Sequence, residues 1–371
     1  MSELQNNDVY EHIEISHTDE LVKKLIDLVG GEETSLQSKW VFRGIGKSDT
    51  YTLVPTALRP DKCDDLIDLV NTTAETGPVP YLDTRFFIDK YERAILAQFY
   101  RQADQAGLSL PPVSTELHHY FKTTSISSTY TGTEEIRPEE LYDNTWPEKS
   151  LWPILALAQH YGMPTRLLDW SRDPFAAMFF AAQSGLDILE KELQSKSPDL
   201  AKQENIAIWA ISTDLINAFS SREVLHGNEP YDYVSIHVVT PPMTGNPNLT
   251  AQQGVFSLVF PETNCADKHD KILKKPLNEV IAGLQEEPET SRRMVMKSLN
   301  LEVNEMPTEY FKKFVFPIEK VPKLLTLLHK MGYNPARIYP GYDGATQTIK
   351  LLAKLKKVKS QLEKINKAGS S

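Results

Sequence analysis

Residues 151–182 read LWPILALAQHYGMPTRLLDWSRDPFAAMFFAA, and no other stretch restricts the fold as much. The first part, up to His160, repeats apolar residues as a buried helix does and is stopped by Gly162. Asp173 followed by Pro174 is the N-cap and first-turn chemistry of a second helix, "DPFAAMFFAAQSGLDILEKELQ". Gln159, His160, Thr165, Arg166, Asp169, Trp170 and Ser171 crowd into the span between them. One reading makes Arg166 and Asp169 a pair that braces a turn, with Trp170 in the core. The other has two helix ends meeting at the floor of a ligand cleft.

A second stretch, "WVFRGIG" at 40–46, reads as a short aromatic and β-branched strand ending at Arg43. A glycine after a strand-end arginine lets a ligand approach the backbone, and the guanidinium suits a phosphate or carboxylate. An arginine paired with a core carboxylate would leave the same trace. Gly44, Gly46, Lys47 and Ser48 lack the spacing of a phosphate-binding P-loop. No GxSxG elbow, HExxH helix or CxxC pair occurs. The histidines are scattered, and the pair at 118 and 119 sits in a polar segment that reads as exposed. A standard hydrolase or a metalloenzyme is therefore not expected, and no metal is called for.

The remaining chain reads as α+β. Helices are expected at 19–29, about 85–106, 320–333 and from Ala345 onward. Strands are expected at 205–212, 233–240, 254–260 and 312–318. Polar loops are expected around 72–84 and 123–150, and a loop-rich insertion with short helices over 262–305. Long helices first and strands later do not suit a doubly wound nucleotide fold. At 371 residues the chain has length for about two domains, or for one large domain with insertions. Cys63 and Cys265 stand far apart, which argues against a zinc ribbon or a disulfide framework. Neither a signal peptide nor a bilayer-length apolar run is seen, so a cytoplasmic protein without membrane contact is expected. A net charge of −10 disfavours a nonspecific nucleic-acid coat. The basic run at 350–367 reads as a solvated helix face.

"WVFRG", "LAQHYGMPTRLLDWSRDPFAAMFFA" and "AQQGVF" together closely resemble the FRG domain family, named for a Phe-Arg-Gly motif, here Phe42-Arg43-Gly44. "IYPGYDGA" at 338–345 resembles the family's closing PxxDG signature. The resemblance divides the chain into an N-terminal helical extension (1–35), an FRG domain (36–345, with insertions about 110–150 and 262–305) and a C-terminal helix (346–371). The family often has an arginine shortly before QQG, whereas Asn248 and Thr250 occupy that vicinity here.

The same elements are similar to the R-S-E class of ADP-ribosyltransferases. That resemblance implies a split mixed β-sheet with packed helices and helical insertions. It also implies cleavage of the nicotinamide–ribose bond of NAD and transfer of ADP-ribose to a macromolecular acceptor, protein or RNA. On it, Arg43 and Gly44 hold the phosphate side, His160 or Thr165 meets the adenosine ribose, with Arg166 beside them, and Trp170 stacks. Ser171 orients the nicotinamide ribose and Asp169 is the first candidate for the acid. Gln252 and Gln253 stand where a carboxylate is expected, and Gln253 takes the corresponding catalytic position. FRG domains resemble modules of bacterial conflict systems, which implies a toxin or antiviral effector with an antitoxin or other regulatory protein partner. The competing expectation is a noncatalytic module that binds a nucleotide, peptide or partner.

Overall fold

The computed structural model describes residues 9–30, 39–59, 62, 68–69, 87–123, 146–195, 203–221, 233–262, 266–305 and 307–368. Both cysteines, the expected loop at 72–84 and residues 124–145 of the loop expected at 123–150 lie outside the described residues.

One mixed sheet organises the fold. Its strands are β1 (Glu11–Glu14), β2 (Trp40–Ile45), β3 (Leu168–Ser171), β4 (Ile206–Ser212), β5 (Tyr233–Val239), β6 (Gly254–Glu262) and β7 (Phe311–Phe316). They run side by side in the order β1-β7-β4-β2-β3-β6-β5. Only β1 and β7 pair in parallel; the other neighbours are antiparallel. The α+β expectation holds, and the five strands read in the sequence at β2, β4, β5, β6 and β7 are present.

The sheet is unevenly knit. β2 pairs with β4 along its whole length, from Trp40↔Ser212 to Ile45↔Ala207, and β3 pairs with β6 along its own. Between β2 and β3 one pair alone, Phe42↔Ser171, joins the two halves.

Helices cover the sheet in a pattern set by side-chain alternation. On β4, Ile206, Ile208 and Ala210 enter one apolar layer and Ala207, Trp209 and Ile211 the opposite one. The second layer underlies both halves, because Val41 and Ile45 of β2, Leu168 and Trp170 of β3, and Val255 of β6 also join it. The other face carries two separate helical groups. Over β1-β7-β4-β2 lie α1 (Thr18–Gly30) and, later in the chain, the helices Pro174–Leu193, Val321–Lys330 and Tyr342–Ala368. Over β3-β6-β5 lie α2 (Phe87–Gln105), α3 (Thr115–Thr123) and α4 (Trp152–His160). In chain order the helices after α4 are α5 (Pro174–Leu193), α6 (Thr213–Ser220), α7 (Pro247–Gln252), α8 (Ala266–Leu273), α9 (Leu277–Ala282), α10 (Glu289–Ser298), α11 (Val321–Lys330), α12 (Pro335–Ile338) and α13 (Tyr342–Ala368).

Two expectations change. The short helices expected over 262–305 are present, but Leu277, Val280, Ile281, Leu284, Val295, Met296 and Leu299 bury into the common layer, so they belong to the core instead of a loop-rich insertion. The N-terminal extension is not helix alone: β1 adds an edge strand to β7, and Leu21 and Leu25 of α1 pack into the core of the main body.

Candidate functional site

The two helical groups leave a valley above the split. α5 starts directly after β3, and its first turn is fixed by Asp173, whose carboxylate accepts from the Phe175 N–H (2.9 Å) and the Ala176 N–H (3.4 Å). α5 then crosses β2 at very short range. A Cβ on Gly44 would lie 1.9 Å from the Ala177 carbonyl oxygen and 2.7 Å from the Ala181 nitrogen. Gly44 therefore serves helix–sheet contact, where the sequence suggested ligand approach. On the other side α4 ends at His160, and Gly162 turns the chain away with φ +92°.

The valley is a cleft of about 430 Å³, within the range of small-molecule sites. Its floor is Phe42, Arg43, Gly44, Asp169, Ser171, Gly254 and Phe256. Gln159, His160 and Tyr161 form one wall, and Ala177, Phe180, Gln252 and Tyr339 the other.

Asp169 is the one carboxylate among the lining residues. The Gln159 Nε2 donates to both of its oxygens at 3.3 Å. The orientation of that amide follows from its other end, where Oε1 accepts from the Thr165 backbone N–H (3.2 Å) and hydroxyl (2.8 Å). Arg43 reaches across the split. Its Nη1 donates to the Asp169 carbonyl oxygen at 2.8 Å and lies 3.3 Å from Oδ2. At the level where β2 and β3 stop exchanging backbone bonds, a guanidinium thus replaces the ladder. The buried Nε of Arg43 has no hydrogen-bond partner among the described residues, and such a group normally has one. At the end of α4, burial pushes the His160 imidazole below its ordinary value, with Asp169 pulling the other way, so it is neutral at pH 7.

The remaining residues singled out by sequence fall in other places. Arg166 does not pair with Asp169. It is enclosed beneath the cleft, with its Nε 2.5 Å from Glu92 Oε2 and a further ion pair to Asp89, both on α2. Burial opposes its charge, and Glu92 and Asp89 more than reverse that, holding the guanidinium above its ordinary value. Thr165 is buried and spends its hydroxyl on Gln159. Trp170 points to the opposite face, where its Nε1 donates to Ser257 Oγ at 2.9 Å, so its ring cannot stack in the cleft. Ser171 reaches the floor, but its hydroxyl is tied to the Gln252 carbonyl (2.7 Å) and the Asp173 backbone. Gln253 is exposed at φ +47°, where it ends α7, and lies outside the cleft. Its neighbour Gln252 lines the wall, with its side-chain amide donating to the Ile338 carbonyl at 3.1 Å. Arg43, Gly44, His160, Asp169 and Ser171 are thus brought together, while Thr165, Arg166, the Trp170 ring and Gln253 are not. Tyr161, Phe180 and Tyr339 were not singled out. Only the aromatic content of the motifs around them hinted at a place in a cleft.

The family model for the FRG domain matches residues 38–188. The chain carries an FRG domain. No curated protein and no solved structure matches the sequence. The matched range holds β2, β3, α4 and most of α5, and with them the cleft floor at Arg43 and Asp169. The FRG motif has a physical account here. Phe42 fills the core under α5, Arg43 spans the split, and Gly44 is the one residue small enough beneath Ala177. Gln252, Gly254, Phe256 and Tyr339 are among the residues that complete the cleft from outside the matched range. The closing "IYPGYDGA" sets Tyr339 by a second close approach, since a Cβ on Gly344 would sit 1.9 Å from the Tyr339 carbonyl oxygen. Among the described residues no helix is long and apolar enough to cross a membrane. No group of three or more His, Cys, Asp or Glu is placed to hold a metal ion among them.

Proposed function

We propose that the FRG domain of this chain binds NAD, cleaves its nicotinamide–ribose bond and transfers ADP-ribose to a macromolecular acceptor, a protein or RNA. The observation that carries this reading is the parting of β2 from β3, with Arg43 and Asp169 meeting across it at the base of a nucleotide-sized cleft. Arg43 lies within β2, which runs on to Ile45, and not at its end as the sequence suggested. A sheet that splits beside this arginine and is followed by a helix of the α5 type is the arrangement the ADP-ribosyltransferase resemblance implies.

The chemistry suits these groups. Breaking the C1′–N bond develops oxocarbenium character on the ribose, which a nearby anion stabilises. Asp169 is that anion, oriented by Gln159. Nicotinamide leaves as a neutral molecule and needs no acid. Arg43 brings its positive charge to the cleft floor, where it can attract the pyrophosphate. Tyr161, Phe180 and Tyr339 offer rings to the heterocycles. Ser171 supports the floor instead of touching the ribose. On this reading the chain acts in the cytoplasm as a toxin or antiviral effector, checked by a regulatory protein.

A noncatalytic binding module is the second reading, favoured by Gln252. An amide committed to the Ile338 carbonyl stands near where the transferases place a carboxylate. Incubation of the purified chain with NAD labelled on its adenylate phosphate and with whole-cell lysate separates the two. The transferase reading expects label in protein or RNA, lost in Asp169→Asn at unchanged melting temperature. NAD bound but never consumed makes the cleft a sensor, and no binding at all removes NAD from both readings.

A further inference from the structure

The transferase reading leaves one proton without a destination. A hydroxyl, amide or ring N–H acceptor must lose its hydrogen as it attacks C1′, and Gln252 cannot take it. Asp169 is poorly placed to do so. Gln159 donates to both its oxygens and Arg43 lies against one of them. Its charge is aligned to meet a cation, and both of its oxygens already accept from donors. Tyr161 commits its hydroxyl proton to Asn246 Oδ1 at 3.0 Å. Tyr339 is held protonated, because burial pushes its phenol up.

His160 remains. It lines the wall at the last turn of α4, half-buried, with its ring edge-on to Tyr161 at 5.3 Å. Neither ring nitrogen is tied to a hydrogen-bond partner among the described residues. Around it stand Arg43 of β2 and Asp169 of β3 on the floor, and Tyr161 and Tyr339 on the walls. Of the elements packed on α4, α2 contributes Glu92, locked to Arg166, and β5 contributes His237, whose ring lies tilted against Trp152 at 4.9 Å.

Resting on that reading, we propose that His160 is the general base that deprotonates the acceptor, leaving Asp169 to stabilise the ribosyl cation. The C1′–N bond breaks with its electron pair on nicotinamide. A lone pair of the acceptor forms the new bond to C1′. The acceptor's proton moves to a ring nitrogen of His160, which becomes imidazolium and later releases it to solvent. Two features favour that sequence. Burial keeps the resting imidazole neutral and ready to accept. Once protonated, it is stabilised by Asp169 and by the carbonyl end of α4.

The test compares wild type with His160→Gln by NAD calorimetry, thermal melting and labelled transfer into lysate acceptors across pH. The proposal expects His160→Gln to fold and still bind NAD, with transfer slower by about a hundredfold or more and partly restored by added imidazole. Wild-type transfer should fall on the acid side, with its limb below the ordinary histidine pKa, and His160→Gln should lack that limb. Wild-type transfer and an unchanged acid limb in His160→Gln overturn the base assignment and leave the transferase reading standing. Wild-type protein that binds NAD without turnover, or binds none, overturns the reading and the base with it.

Discussion

Arg166 is enclosed with Glu92, and the two oxygens of Glu92 take the Arg166 N–H at 2.7 Å, its Nε at 2.5 Å and the Trp146 Nε1 at 2.9 Å. Removing the cation strands a carboxylate that water cannot reach. Arg166→Met should cost about 3–5 kcal/mol, read from urea denaturation, with the cleft residues untouched. Gly44→Ala should fail more simply. The Ala177 carbonyl occupies the space of the new methyl, so β2 and α5 must separate, and the soluble folded fraction should collapse. These residues also show where sequence reading stops. Arg166 and Asp169 lie three apart and look like partners, yet each has its own partner more than seventy residues away. Charge complementarity is legible in one dimension, but choice among partners depends on which faces the folded chain brings together. Trp170 fails for a related reason. Strand alternation places it opposite Asp169 and Ser171, and alternation is visible only once β3 is known to be a strand.

β3 is only Leu168–Ser171, inserted between a helix end and an N-cap, and so short a strand leaves no periodicity to detect. β1 is equally short and mostly exposed, and pairs with β7, which lies about three hundred residues later. Elements that bury a full face were readable. The continuous apolar run of β4 and the long apolar segment of α5 come out nearly as their patterns imply. The 262–305 helices were obscured because each is short and two of them follow directly on a proline, Pro276 and Pro288. The N-cap of α5 was legible and is a good point of attack. Asp173→Ala removes the acceptor for the Phe175 and Ala176 N–H groups. A loss of about 0.5–2 kcal/mol is expected, together with faster exchange of the Phe175 and Ala176 amides that the carboxylate holds. Chemical denaturation measures the first effect, and amide exchange at the start of α5 the second.

Across the molecule the protonation of buried histidines ties stability to pH. His269 on α8 is buried, and burial holds it below its ordinary value, with Asp89 pulling up and Arg166 pushing down. The unfolded chain takes the proton first, at about pH 6.5. Stability is therefore complete above that value and falls as pH drops toward the lower folded value; His160 adds to the same trend. The melting temperature should decline across this window, and less steeply in His269→Gln. The sheet adds a second property at this scale. Its halves share a layer of core on one face, but meet edge to edge at Phe42 and Ser171 alone. A molecule seated above that parting touches both halves and acts as a stitch between them. Its binding free energy then appears as added cohesion of the whole chain, growing with the logarithm of its concentration. Melting curves recorded against a library of nucleotides would pick out the natural occupant before any reaction is known.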